Sequence, residues 1–84
     1  MPRDEKLLLR ILSGLADANI DFDELRKLLT GFGFEERTRG SHHMFRRDGV
    51  VELLNLQRDG NKAKAYQVKQ VRAVIVKYRL TGDN

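Results

Sequence analysis

Residues able to do chemistry concentrate in Gly40-Ser41-His42-His43-Met44-Phe45, which holds both histidines of the chain. An unperturbed imidazole titrates near pH ~6.5, so a positioned histidine can take or give a proton at neutral pH. There is no cysteine, and no other stretch offers a nucleophile, a metal-ligand spacing or a phosphate-binding loop of comparable quality. A metal site is not expected, because Asp48, Glu52 and Asp59 fall by pattern in a turn, a strand and a loop without ligand spacing. Adjacent histidines on one strand do not chelate either, so no metal and no cofactor is expected.

The charge around this stretch is lopsided. The formal net charge is +4 over 84 residues, but acidic side chains outnumber basic ones as far as Glu36, and the reverse holds from Arg37 onward. The basic half is the half with the histidines. That pattern points to a polyanionic partner, most simply nucleic acid, with a solvated basic surface as the plain alternative. No apolar run approaches the ~20 residues needed to span a bilayer. With charged residues at Arg3-Asp4-Glu5-Lys6 and no cysteine, a soluble cytoplasmic protein is expected, with no membrane partner.

A chain of this length supports one modest core, and its pattern says which elements hold the histidines. Leu7, Leu8, Ile11, Leu12 and Leu15 recur at helical spacing and predict an amphipathic helix over 4–15, weakened at its end by Gly14. Asp21 and Glu24 form a capping-box pair for a second helix, with Ile20 placed to staple onto Leu25. Phe22, Leu25, Leu28 and Leu29 make its buried stripe, and Gly31 and Gly33 end it. From Phe34 the period changes, predicting strands over 34–39, 41–47 and 50–57, with a bend or bulge allowed at Gly40 and a hairpin at Asp48-Gly49. Residues 58–65 read as a loop. A last helix is predicted over 67–79, with Val68, Val71, Val74, Ile75 and Tyr78 on one face.

The expected fold is therefore α+β, a three-stranded antiparallel sheet with helices on one face in the order α-β-β-β-α, plus an extra N-terminal helix. The division is a helical extension over 1–20, a domain over 21–80 and a frayed tail over 81–84. Such a sheet leaves its other face bare. Phe32, Phe34, Phe45 and Tyr78 are expected in the core.

In this order and position, Gly40-Ser41-His42-His43-Met44-Phe45, preceded by Gly33-Phe34 at a helix end and followed by a hairpin, Asn61-Lys62 and a basic helix, resembles the HicA family of toxins. The resemblance covers about residues 21–80. It implies a double-stranded-RNA-binding-like (dsRBD-like) fold, an endoribonuclease that cleaves mRNA, and silencing by a HicB-like antitoxin bound over the site. The helix over 4–15 precedes the usual family start, and either packing on the domain or serving a partner would account for it.

The family pattern of Gly, a small residue, then His maps onto His42. Neighbours on a strand face opposite ways, so His42 and His43 cannot both reach one phosphate. With Phe45 in the core, His43 shares its face and His42 lies with Met44 on the open side; a bulge at Gly40 would reverse the assignment. RNA carries its own nucleophile in the 2′-hydroxyl, so a histidine base suffices to start cleavage and yields a 2′,3′-cyclic phosphate. Arg37, Arg39, Ser41, Arg46, Lys62, Lys64 and Lys69 are the candidate RNA contacts. No second histidine shares the face, so a lysine or water must protonate the leaving group, and slow cleavage follows. The rival readings are a non-catalytic RNA-binding module of the same fold and a small domain whose basic face meets an acidic protein.

Overall fold

The computed structural model describes residues 3–80; the expected tail over 81–84 lies outside the described residues. Its elements are α1 (Arg3–Ser13), a single 3-10 turn (Asp17–Asn19), α2 (Phe22–Gly31), β1 (Glu35–Arg39), β2 (His42–Arg46), β3 (Leu54–Leu56), β4 (Arg58–Asp59), β5 (Lys62–Ala63) and α3 (Ala65–Tyr78). The protein is thus a small α+β domain of three helices and a three-stranded antiparallel sheet in the order β1-β2-β3, with a two-stranded hairpin, β4-β5, beside it.

α2 has the boundaries its sequence specifies. The Asp21 side chain accepts a hydrogen bond from the Glu24 N–H at 3.0 Å, satisfying one of the free donors of the first turn. At the other end Gly33, at φ +93°, lets the chain reverse. There the Gly33 N–H donates to the Thr30 carbonyl and the Phe34 N–H to the Leu29 carbonyl, the paired bonds of a Schellman motif. This stop delivers Phe34 into the core and starts β1 one residue later.

α1 joins the same core, burying Leu7, Leu8 and Ile11 and leaving Leu9 and Leu12 exposed; it ends at Ser13, short of the predicted 4–15, so Leu15 lies beyond it and is exposed too, and neither Leu12 nor Leu15 belongs to the buried stripe. Of the two roles open to this helix, packing on the domain is the one observed. Arg72 of α3 fastens it, donating to the Ile11 carbonyl at 3.1 Å and, through two nitrogens, to the Asp17 carboxylate at 2.8 and 3.2 Å. α3 buries Val68, Val71, Val74 and Ile75. The 3.6-residue period of these valines prevails over their strand preference because one continuous face meets the core. Phe32, Phe34 and Phe45 are buried as expected, Tyr78 packs against the core from its edge, and Tyr66 is exposed.

Of the bend or bulge allowed at Gly40, the chain takes the bend: the β1–β2 connection is a two-residue turn, Gly40-Ser41, with Gly40 at φ +59° and an unbroken register from Arg39↔His42 to Glu35↔Arg46, so no bulge intervenes. Two expectations need correction. The third strand is much shorter than 50–57. Asp48-Gly49 does turn the chain, but Val50 then drops into the core and the Val51 N–H donates to the Tyr78 hydroxyl. Backbone held by α3 in this way cannot pair with β2, so pairing begins only at Leu54. Finally, 58–65 is not a loop throughout. Gly60, at φ +61°, and Asn61 turn β4 into β5, and the hairpin docks by backbone bonds from Phe22 N–H to Asn61 and from Ala63 N–H to Ile20.

Candidate active site

The register of the sheet sorts the candidate residues onto two faces. Glu36, Phe45 and Leu54 lie across from one another, as do Thr38, His43 and Leu56, on the side that meets the helices. Arg37, Met44 and Asn55 form one row of the opposite, open face, flanked by the Arg39–His42 and Glu35–Arg46 pairs. His42, Arg37, Arg39 and Arg46 are exposed there, and Met44 is half-buried among them. Alternation along β2 therefore separates the two histidines.

His42 is held by its cross-sheet neighbours. Its Nδ1 lies 3.1 Å from Asn55 Oδ1. An amide oxygen only accepts, so the proton sits on Nδ1 and the lone pair on Nε2. Gln57 Nε2 approaches that lone pair at 3.4 Å and donates to the Ser41 hydroxyl at 3.1 Å. Lys64, at the N-cap of α3, donates through Nζ to Gln57 Oε1 at 3.2 Å. Behind this row the buried Gln67 accepts from the Gln57 N–H at 3.0 Å and donates to the Asn55 carbonyl at 3.3 Å. One buried amide thus locks the backbone of both residues that touch His42. Chemically, the arrangement is a base of defined tautomer with a lysine one side chain away.

His43 has different surroundings. Its side chain is only 12 % exposed, and Nδ1 sits 2.8 Å from Glu36 Oε2. Its ring meets the edge of Phe22 with centroids 5.0 Å apart. Arg26 grips the same carboxylate at 2.7 and 3.2 Å. Partial burial pushes the Glu36 carboxyl up, but the hydrogen bonds from Arg26 and His43 outweigh it and hold its pKa below the ordinary value. Arg26 also reaches Asp23, which Arg58 holds at 2.9 Å while stacking over Phe22. Those two arginines, Arg58 first, hold the Asp23 carboxyl below its usual range. His43 therefore belongs to a closed ion-pair network that fastens β1 and β2 to α2.

Of the candidate RNA contacts, Arg37, Arg39, Ser41, Arg46 and Lys64 share the open face or the His42 network. Lys62 lies in the β4–β5 hairpin, its backbone paired with that of Asp21, and Lys69 on the exposed side of α3. Neither joins the network. Asn55, Gln57 and Gln67 are members that sequence patterning did not single out. The alternation Asn55-Leu56-Gln57 puts both polar residues on one face, but only the pairing of β2 with β3 puts that face beside His42.

Among the described residues no group of three or more His, Asp or Glu side chains could hold a metal ion. No described helix is long and apolar enough to cross a membrane. Comparison of the chain with protein-family models, curated proteins and solved structures gives no match.

Proposed function

We propose that this protein is a metal-independent endoribonuclease of the HicA kind, built on a dsRBD-like fold and acting on mRNA in the cytoplasm, with His42 as its base. The carrying observation is the Nδ1–Asn55 hydrogen bond, which leaves the His42 Nε2 lone pair on an open, basic sheet face. In the reaction Nε2 takes the 2′-hydroxyl proton, the 2′-oxygen bonds to phosphorus, and the bond from phosphorus to the 5′-oxygen breaks. Lys64 supplies the proton the 5′-oxygen needs, and Arg39 with the Ser41 hydroxyl steadies the phosphate oxygens. An ammonium is a weaker acid than an imidazolium, which makes for a slow enzyme. The same sequence resemblance supports a HicB-like antitoxin as partner.

The test is cleavage of a defined RNA by wild type, His42→Ala and His43→Ala at matched fold content. His42→Ala should lose activity by about 10²–10⁴-fold. A folded His43→Ala should keep most of it. Equal activity in wild type and His42→Ala would remove the assignment.

One observation favours the rival reading of an RNA-binding module without cleavage. Gln57 Nε2 stands where the 2′-hydroxyl must approach His42, so catalysis requires that amide to turn away. RNA binding that survives in every variant, with no cyclic-phosphate product from wild type, would establish the module instead.

A further inference from the structure

Four carboxylates are held in ion pairs that fasten the fold: Asp17 on Arg72, Asp23 on Arg26 and Arg58, Glu36 on Arg26 and His43, Glu52 on Lys77. Glu35 is not among them. It stands on the open face directly across from Arg46, yet among the described residues neither is in an ion pair, and neither is Arg37. Between them lies a shallow groove of about 260 Å³ lined by Glu35, Arg37, Met44, Arg46 and Leu53. Its volume falls below the ~300–1,000 Å³ of sites for drug-sized ligands, and so suits a single ring system. Met44 and the 49 % exposed Leu53 supply the apolar floor.

The groove is also next to the base. Met44 is two residues from His42 on the same strand face, a rise of about 6.6 Å, which is within the reach of one nucleotide. A carboxylate amid arginines would repel phosphate, so its use on such a face is to read a base edge. We propose that this groove is a guanine subsite for the nucleotide next to the cleaved phosphate, an inference that rests on the RNA-cleaving reading. Guanine presents two adjacent donors, N1–H and N2–H, to one carboxylate, and two acceptors, O6 and N7, to a guanidinium. Adenine, cytosine and uracil lack that paired set. Glu35 takes the donor edge, Arg37 or Arg46 the acceptor edge, and Met44 and Leu53 the ring face.

The experiment is fluorescence anisotropy at fixed ionic strength with four short oligoribonucleotides. Each carries a 2′-deoxy residue that blocks cleavage, and they differ only in having G, A, C or U at one position. The wild-type chain should bind the G form about tenfold more tightly than the others. Glu35→Ala should erase that preference while leaving affinity for the A, C and U forms unchanged or raised, since a negative charge has left a basic face. That retained affinity shows that the fold survived. His42→Ala should keep the preference, since it removes the base and not the groove; wild type that shows the guanine bias but cleaves none of the matching all-ribose oligonucleotides supports the subsite while the nuclease reading falls. Equal binding of all four by wild type, a preference that survives Glu35→Ala, or no binding of any would overturn the subsite.

Discussion

At the scale of single residues, two adjacent histidines do opposite jobs because a strand alternates. His43 is drawn into the Glu36–Arg26 network, whereas His42 is presented to solvent with its tautomer set by Asn55. On the proposed RNA-cleaving reading Asn55 is a positioning residue, and Asn55→Ala should then lower cleavage about 10–100-fold, the size of effect seen when a partner that orients an imidazole is removed. Asn55→Asp, which keeps the acceptor, should lose less, and rescue by the conservative change is the readout that a packing defect would not give. A second residue-scale prediction concerns Glu52. The Tyr78 hydroxyl at 2.6 Å and then Lys77 at 2.9 Å lower its carboxyl to about 2. A depressed carboxylate pKa contributes stability above the unfolded value of ~4.3, and that contribution is lost as pH falls toward 2. The gap in melting temperature between wild type and Tyr78→Phe should therefore be widest near pH 6 and narrow progressively below about pH 4, down to the pH-independent part left by the lost Val51 N–H bond.

At the scale of elements, the two ends of α2 were the most legible parts. Asp21, Glu24 and Gly33 occupy positions whose chemistry is local, so their roles follow from a few neighbouring residues. The end of α3 breaks that pattern. Arg79 sits at φ 53° and ψ 47°, a left-handed conformation that glycine adopts without strain, with its N–H on the Ile75 and Val76 carbonyls. It is kept there because Leu80 is buried and its N–H bonds to the Ile75 carbonyl. Arg79→Gly should stabilise the domain, by up to ~1 kcal/mol, measured as a rise in denaturant midpoint without a change in slope. The element read least well was the third strand. Nothing local to Val50–Leu53 reveals that Tyr78, on the last helix, will claim the Val51 N–H.

At the scale of the molecule, the first helix is not an appendage. Ile11 is fully buried in the one core that also contains Phe22, Phe45 and Val71. For a chain this short the total stability is roughly 4–12 kcal/mol, and Ile11→Ala should remove about 2–5 kcal/mol of it. Urea denaturation should show a single transition at a lower midpoint, with the helical and sheet signals lost together. Two transitions would mean that α1 folds apart from the rest. The same packing explains the division of charge. Ion pairs gather where helices and strands must be fastened, and among the described residues Arg37, Arg39 and Arg46 of the open face take part in none.

The sequence by itself determined the three helices, the antiparallel pair that carries the histidines, the burial of Phe45 and, through it, the face on which His42 stands. Those features depend on local chemistry and on the period of apolar residues, both of which a linear pattern contains. Tertiary structure alone decided that Asn55 and Gln57 meet His42, that Gln67 braces both, that Glu36 and Arg26 absorb His43, and that Val50–Glu52 leaves the sheet. Each of these joins side chains or backbone groups far apart in the chain, and such pairings are set by how whole elements pack against one another rather than by the residues beside them.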